Sequence, residues 1–245
     1  QQYIYKYNTC ISSIMDLFKH TLFINLEHRK DRLEHAENEF EKMGIQAERV
    51  NAIRPASGKV GCTMSHIKCL ELAKKRDYEY VCICEDDITF INTDKFNEQI
   101  NKFYMDKTIQ WDVLILGGNN VPPYQQTSEY CARVFNCQTT TGYVVKKQMY
   151  DILIQNFKEG VQQLVKNPNS QNQFEIDVYW KRLQMQYFWY IITPLTVTQY
   201  ENYSDIENKN TNYNHLLLDM DKPWLTYQKN ASKMNFTKKR TQINS

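Results

Sequence analysis

Apolar positions along this chain switch between two spacings. Thr21 to Asn25, with Leu22, Phe23 and Ile24 at its centre, reads as a short buried strand. From Arg29 to Met43, Leu33, Ala36, Phe40 and Met43 recur three or four apart, which predicts a helix stopped by Gly44. An apolar piece at Val50 to Ile53 breaks at Pro55. Gly61 to Lys75 is again helical, with Met64, Ile67, Leu70 and Ala73 in register, and Tyr80 to Cys84 is a strand that ends in Glu85-Asp86-Asp87. Phe96, Ile100 and Phe103 mark the next helix, and Trp111 to Leu116 marks a strand closed by Gly117-Gly118. Strands alternating with helices in this way predict an α/β fold, a mostly parallel sheet covered on both faces.

Beyond Gly118 the pattern weakens. Thr141 to Val145 reads as a strand, Lys147 to Phe157 as a helix, Pro168 to Gln173 as a polar loop, and a second helical piece opens near Asp177. Tyr187 to Gln199 is aromatic and β-branched enough for one strand, with Pro194 at an edge or bend. No internal repeat is present. The organisation expected is an extension over residues 1–20, one domain over 21–207, and a loosely attached extension over 208–245.

Composition narrows the function classes. The 245 residues carry 30 basic and 28 acidic side chains, enough chain for a large core and too balanced for disorder. The net charge of +2 hides an asymmetry, because Lys222 to Ser245 holds six basic residues and no acid. Residues 1–221 are therefore mildly acidic, which argues against a nucleic-acid reader, since such proteins need a basic stripe on the folded body. No apolar run approaches the roughly 18 residues of a membrane span. The chain opens on Gln1, without the apolar core of a signal peptide before His20, and reads as a piece cut or processed from something longer. Seven cysteines lack zinc-site spacings. Cys82 and Cys84, two apart in a strand, point to one buried face as small hydrophobes and suit a reducing, cytoplasmic setting. The three glycosylation sequons, at Asn202, Asn230 and Asn235, are about what an Asn-rich chain produces by chance.

Ligands of open α/β sheets bind beyond the carboxyl ends of the strands, so Asn25, Glu85-Asp86-Asp87 and Gly117-Gly118-Asn119-Asn120 are the candidate positions. Three adjacent carboxylates repel unless a cation or several donors compensate, and an oxygen-only set selects Mg²⁺ or Mn²⁺. The plain alternative is that these acids cap the next helix or face water. Neither a dinucleotide-binding glycine motif nor a P-loop is present, so a bound diphosphate would need a metal and basic side chains. Arg29 and Arg32 offer forks for phosphate or carboxylate, unless Glu27, Asp31 and Glu34 simply pair with them on a solvated helix face. A second acidic pair, Asp219 and Asp221, follows Leu216 to Leu218, too short an apolar run for a central strand.

Ile24-Asn25-Leu26 followed by Arg29, Asp31, Arg32 and Leu33 resembles the opening motif of glycosyltransferase family 25, whose members include lipooligosaccharide and collagen galactosyltransferases, with relatives in giant viruses. Gly61-Cys62 with Ser65-His66, and then Glu85-Asp86-Asp87, are similar to its next two motifs in order and spacing. Thr141-Gly142-Tyr143 and Ile176-Asp177 resemble two looser ones, and together these cover residues 21–205. The resemblance implies a glycosyltransferase A-type, Rossmann-like single domain and a UDP-sugar donor carrying galactose or glucose. It implies a hydroxyl acceptor on a glycan or hydroxylysine, and Mn²⁺ or Mg²⁺ held by Asp87 and Glu85. Asn25, Leu26, Arg29, Arg32, Ser65, His66, Glu85 and Asp86 would contact the donor. Asp177 would be the base of an inverting transfer, with Glu175 as the alternative base and a helix cap as the bland reading of Asp177. Gln199 stands where related transferases place a histidine metal ligand, with His215 as a possible substitute.

Two other functions use the same residues. A catalytically silent domain could bind a nucleotide sugar or glycan within a larger polypeptide, and a nucleotidyltransferase would release pyrophosphate instead of UDP. Relatives that modify collagen work in the secretory lumen and viral ones at virion assembly, so those locations stand beside the cytoplasm.

Overall fold

The computed structural model describes residues 16–55, 57–207 and 209–224. Its centre is an eight-stranded sheet in the order β2-β1-β3-β8-β5-β9-β7-β6. The strands are β1 (Thr21–Asn25), β2 (Ala47–Asn51), β3 (Tyr80–Glu85), β5 (Val113–Asn120), β6 (Tyr124–Ser128), β7 (Cys131–Val134), β8 (Cys137–Lys146) and β9 (Trp189–Ile192). Pairings of β1 with β2 and β3, and of β5 with β9, are parallel, whereas β8 and β7 run against their neighbours. Six of the eight strands therefore share one direction, and the mostly parallel α/β sheet expected from the alternating pattern is present.

The unbroken apolar runs follow from cover on both faces. Val81, Ile83, Val113 and Ile115 point to one face, where α2 (Gly58–Lys75) and α4 (Tyr150–Lys166) add Leu70, Ala73, Leu153 and Phe157. Cys82, Cys84, Leu114 and Leu116 point to the other, under Phe40 of α1 (Lys30–Met43) and Phe96, Ile100 and Phe103 of α3 (Thr93–Met105). The thiols of Cys82 and Cys84 lie side by side, 3.6 Å apart, on that buried face, as the two-residue spacing required. Helix α1 ends at Gly44, whose left-handed backbone (φ 64°) brings its N–H to the Glu41 carbonyl at 3.0 Å.

Several sequence expectations change. The strand expected to close at Gly117-Gly118 continues to Asn120, with register shifts that absorb both glycines against β8. A side chain at Gly117 would meet Val197 at 2.8 Å, so the glycines allow close approach of neighbouring chain rather than a turn. The single strand expected over Tyr187 to Gln199 is two, β9 and β10 (Val197–Gln199). The second of these leaves the main sheet and pairs with β4 (Ile88–Phe90), directly after the acidic triplet. The boundaries expected at residues 20 and 208 do not coincide with the packed body. Leu17 and Phe18 are buried before β1. After residue 207, β12 (Lys209–Thr211) pairs with β11 (Asn202–Ser204), Leu217 of the short helix Asn214–Leu217 is buried, and Lys222 donates to the Leu216 and Asp219 carbonyls. The rest of the basic segment, with Asn230 and Asn235, lies outside the described residues. Among the described residues no helix is long and apolar enough to cross a membrane.

Gly61 gives a test of this packing. A methyl group there would meet the Ile53 carbonyl oxygen at 2.5 Å and Pro55 Cδ at 2.7 Å. Gly to Ala inside a helix ordinarily stabilises by up to about 1 kcal/mol. Here Gly61→Ala is expected to destabilise by about 1–3 kcal/mol, the usual cost of overpacking, seen as a lower Tm in thermal denaturation.

Candidate functional site

The carboxyl ends of β1, β3 and β5, together with the adjoining start of the reversed β8, border a cleft of about 640 Å³. Glu85, Asp86 and Asp87 line it, because β3 ends there and hands over to β4. Both aspartates are buried, and one Arg32 nitrogen donates to Asp86 Oδ1 at 3.0 Å and to Asp87 Oδ2 at 3.1 Å. Asp86 is further held by Asn25, whose amide donates to Oδ2 at 2.7 Å, and the Arg49 Nε–H fixes Asn25 from behind at 2.9 Å.

The charges do not balance locally. Burial raises Asp86 above its ordinary value in spite of Arg32 and Asn25. Burial, then the charge of Glu85, push Asp87 to about 7, against the pull of Arg32. Gln199 of β10 adds a weak contact, its amide reaching Asp87 Oδ1 at 3.4 Å. His215, the alternative to Gln199, is exposed and does not line the cleft.

Glu85 turns the other way. Its Oε1 accepts from Thr140 Oγ1 at 2.6 Å and lies 3.3 Å from His66 Nε2 and 3.8 Å from Cys62 Sγ. Burial alone would raise Glu85, but His66, Thr140 and Arg32 outweigh it and hold the carboxyl below its ordinary value. His66 is fully buried, with Nδ1 2.8 Å from the Tyr143 hydroxyl. Burial and the Glu85 charge push the Cys62 thiol well above its ordinary value, so it is no nucleophile at neutral pH.

Asp177 lines the same cleft from the short helix Ile176–Tyr179. It does not cap that helix, because the cap position is Glu175 and no side chain makes a cap bond there. Instead Asp177 Oδ2 accepts the Thr139 N–H at 3.0 Å, and burial pushes its carboxyl up to about 6. Glu175, the alternative base, is paired with Lys59 at 2.5 Å.

The other sequence candidates divide. Leu26, Arg32, Ser65 and His66 line the cleft, but the Ser65 hydroxyl is already engaged, donating to the Gly61 carbonyl at 2.7 Å and accepting the Ile53 N–H at 2.8 Å. Asn25 and Arg29 are not on the lining, so the expected direct donor contact is not what they make here. Arg29 forks onto Asp31 and pins the chain at Tyr203 O (3.0 Å) and Asp205 (2.5 Å). Asp219 and Asp221 lie off the cleft, the latter bound by the Tyr124 hydroxyl at 2.6 Å. The motifs do not disclose the segment Tyr203 to Glu207, which together with Tyr213 and Leu217 forms another wall. These residues carry no sequence signature, and Arg29 and Arg32, which bind the Tyr203 carbonyl, are pointers to it.

By donor chemistry the region around Asp87 fits a hard divalent ion. Asp87 offers oxygen, Asn119 Oδ1 is buried beside the cleft without a hydrogen-bond donor, and the carboxylates exceed the positive charge of Arg32, whereas Gln199 presents its amide nitrogen to Asp87. Glu85, in contrast, faces Cys62 and His66.

Comparison with known proteins adds a family likeness over part of the chain. The model of glycosyltransferase family 25 (LPS biosynthesis protein) matches residues 56–149, which include the helix with Cys62 and His66, the acidic triplet and β8 up to Lys146. The likeness to glycosyltransferase family 25 covers that segment, less than half of the chain. Glycosyl transfer is the activity class of that family. No curated protein matches the chain. Among solved structures, a glycosyltransferase involved in glycosylation of the major capsid of PBCV-1 is similar at 8% identity over 71% of this chain and 92% of its own, with a TM-score of 0.41. A mannose-1-phosphate geranyltransferase from Thermus thermophilus gives 9%, 75%, 63% and 0.39 for the same quantities. A mutant Drosophila galactosyltransferase 7, in complex with manganese, UDP-Gal and xylobiose, gives 10%, 55%, 51% and 0.33. Identities this low say nothing of donor, acceptor or metal.

The raised Asp177 predicts how stability responds to pH. Its folded-state value of about 6 lies above the ordinary 3.8, so between those values the folded protein holds a proton that the unfolded chain has released. This group's contribution therefore falls as pH rises from about 4 to 6 and stays low above. Asp177→Asn keeps an acceptor for Thr139 without the charge. It should match the parent at pH 4 and exceed it in Tm at pH 7.5, at about 2–4 °C per kcal/mol. Equal Tm differences at both pH values, by calorimetry, would contradict the assignment.

Proposed function

We propose that the cleft transfers a hexose, galactose or glucose, from a UDP-sugar to a hydroxyl of a glycan or hydroxylysine acceptor, with inversion. Mn²⁺ or Mg²⁺ assists at Asp87. The observation that carries this reading is that one cleft joins a carboxyl raised to about 6, Asp177, with a buried acidic cluster short of positive charge. A base with a value near the working pH can accept a proton and release it again.

In this reading the Thr139 N–H orients Asp177 through Oδ2, and the acceptor hydroxyl gives its proton to the carboxylate. The hydroxyl oxygen bonds to the anomeric carbon as the bond from that carbon to the diphosphate oxygen breaks, and the electron pair leaves with UDP. Arg54 and Lys59, which line the cleft, carry positive charge toward the departing diphosphate. A divalent ion, when bound, supplies the further charge neutralisation that this leaving group needs. Tyr203 to Glu207, held by Arg29, shields the site from water. The six described cysteines are unpaired, which supports a reducing, cytoplasmic setting over the secretory lumen.

The acidic motif is tested by calorimetric titration of UDP with Mn²⁺. Asp87→Asn should abolish or strongly weaken metal-dependent binding, whereas Asp221→Asn, which keeps an acceptor for Tyr124, should bind as the parent does. Loss at Asp221 alone, or equal loss in both, would move the metal site.

Turnover is tested by UDP release from UDP-galactose and UDP-glucose, with and without Mn²⁺ and acceptor sugars. Asp177→Asn should keep UDP binding and lose about two to four decades in kcat, the usual weight of general-base catalysis. The parent's kcat should fall about tenfold per pH unit below about 6. Near-normal turnover in Asp177→Asn would remove it as the base. A parent that binds UDP yet never releases it from a sugar would make this a binding module.

A further inference from the structure

Glu85 gives one oxygen, Oε1, to Thr140, His66 and Cys62, and the last two of these partners are chemically different from a hard-ion set. Cys62 and His66 are four apart on α2 and present sulfur and nitrogen to the same point. Cys62 Sγ, His66 Nε2 and one Glu85 carboxylate oxygen all lie within 4.8 Å of one another, with Glu85 Oε1 3.3 Å from Nε2 and 3.8 Å from Sγ. Ligands at about 2.0–2.3 Å from a tetrahedral ion stand about 3.3–3.8 Å apart, so the two Glu85 spacings are already those of a bound set. We propose that Cys62, His66 and Glu85 form a three-ligand site for a soft or borderline ion of the zinc class, distinct in chemistry from the oxygen site at Asp87.

The surroundings supply what such a site needs beyond its ligands. Metal-binding histidines ordinarily have their second ring nitrogen fixed by a hydrogen-bond partner, and Tyr143 Oη stands 2.8 Å from His66 Nδ1. Its hydroxyl can accept from Nδ1–H, which leaves the Nε2 lone pair for the ion. Thr140 Oγ1, at 2.6 Å, orients the Glu85 carboxylate in the same way. All three ligands line the cleft, so the fourth position is reached from it. Three protein ligands with an open position are the pattern of exchangeable or catalytic zinc sites, not closed structural ones. On binding, the Cys62 S–H bond breaks, its proton goes to solvent, and the thiolate electron pair forms the bond to the ion, with no change in oxidation state. Since the site opens on the cleft proposed for the donor, an ion here would compete with or reshape donor binding. That consequence rests on the proposed function; the site itself does not.

The test uses the full chain and metal alone. Equilibrium dialysis with Zn²⁺ should find tight binding that Cys62→Ala and His66→Gln each weaken by about 100-fold or more. Tyr143→Phe, which removes only the supporting hydroxyl, should weaken it about 10–100-fold. Co²⁺ in place of Zn²⁺ should give a sulfur-to-cobalt charge-transfer band in the near ultraviolet that persists in Asp87→Asn and disappears in Cys62→Ala. Circular dichroism checks that each variant is folded. The proposal is overturned if folded parent protein shows no such band, if the band survives in Cys62→Ala, or if Asp87→Asn abolishes it. None of these readouts involves glycosyl transfer, so failure of the proposed function leaves them standing.

Discussion

Arg32 is the side chain on which this end of the molecule depends. One guanidinium reaches from α1 to the two aspartates at the end of β3 and also donates to the Tyr203 carbonyl at 3.3 Å. It thus ties a helix, the sheet's carboxyl edge and the late segment that roofs the cleft. Buried ion pairs are costly to break, because the surviving charge has no water to turn to. Here the pair is also unequal: two acids face one cation, and burial first, then the charge of nearby Glu85, hold Asp87 near 7. The protein has folded around a buried group of carboxylates that Arg32 alone does not balance, the feature on which the proposed cation site rests.

The near half of this arrangement is legible in the sequence. Unbroken apolar runs at β1, β3 and β5 are visible because strands buried on both faces do not tolerate polar positions, and the acids ending β3 stand out for the same reason. The reversed strand β8 is half legible. Its apolar stretch Thr141 to Val145 is plain, but its polar first half, Cys137 to Thr140, pairs with the bulged end of β5 and has no apolar signature. The hairpin of β6 and β7 escapes notice because edge positions such as Gln125, Gln126 and Thr127 look like loop.

Convergence in space is harder to read than chemistry in sequence. Cys62, His66 and Glu85 each stand in a motif, yet only the packing of α2 beside β3 brings them together. Arg29 looks like a donor contact because arginines near a strand end suit phosphate, whereas the fold commits it to Asp31 and Asp205, with the Tyr203 carbonyl as a third acceptor. Residues past 207 look like a tail because they are polar on average. What docks them is scattered: the pairing of β12 with β11, the buried Leu217, the Asp221 contact to Tyr124, and the buried amine of Lys222, satisfied by the Leu216 and Asp219 carbonyls.

Thr139 shows how the fold prepares the other side of the cleft. Its backbone has φ 78°, a region that a β-branched residue enters at a cost of about 1–3 kcal/mol. That conformation aims its N–H at Asp177 Oδ2, the hydrogen bond that opposes the upward push of burial on this carboxyl. Relaxing Thr139 would let Asp177 rise further and stay protonated at neutral pH, while a stronger donor in its place would lower the carboxyl and make it a poorer acceptor of protons. The strained residue in β8 therefore does two things with one bond: it fixes the direction of the carboxylate and limits how far its proton affinity climbs. A glycine at this position would remove the strain but also loosen this stretch of the strand, so the threonine is the residue that keeps the N–H on target.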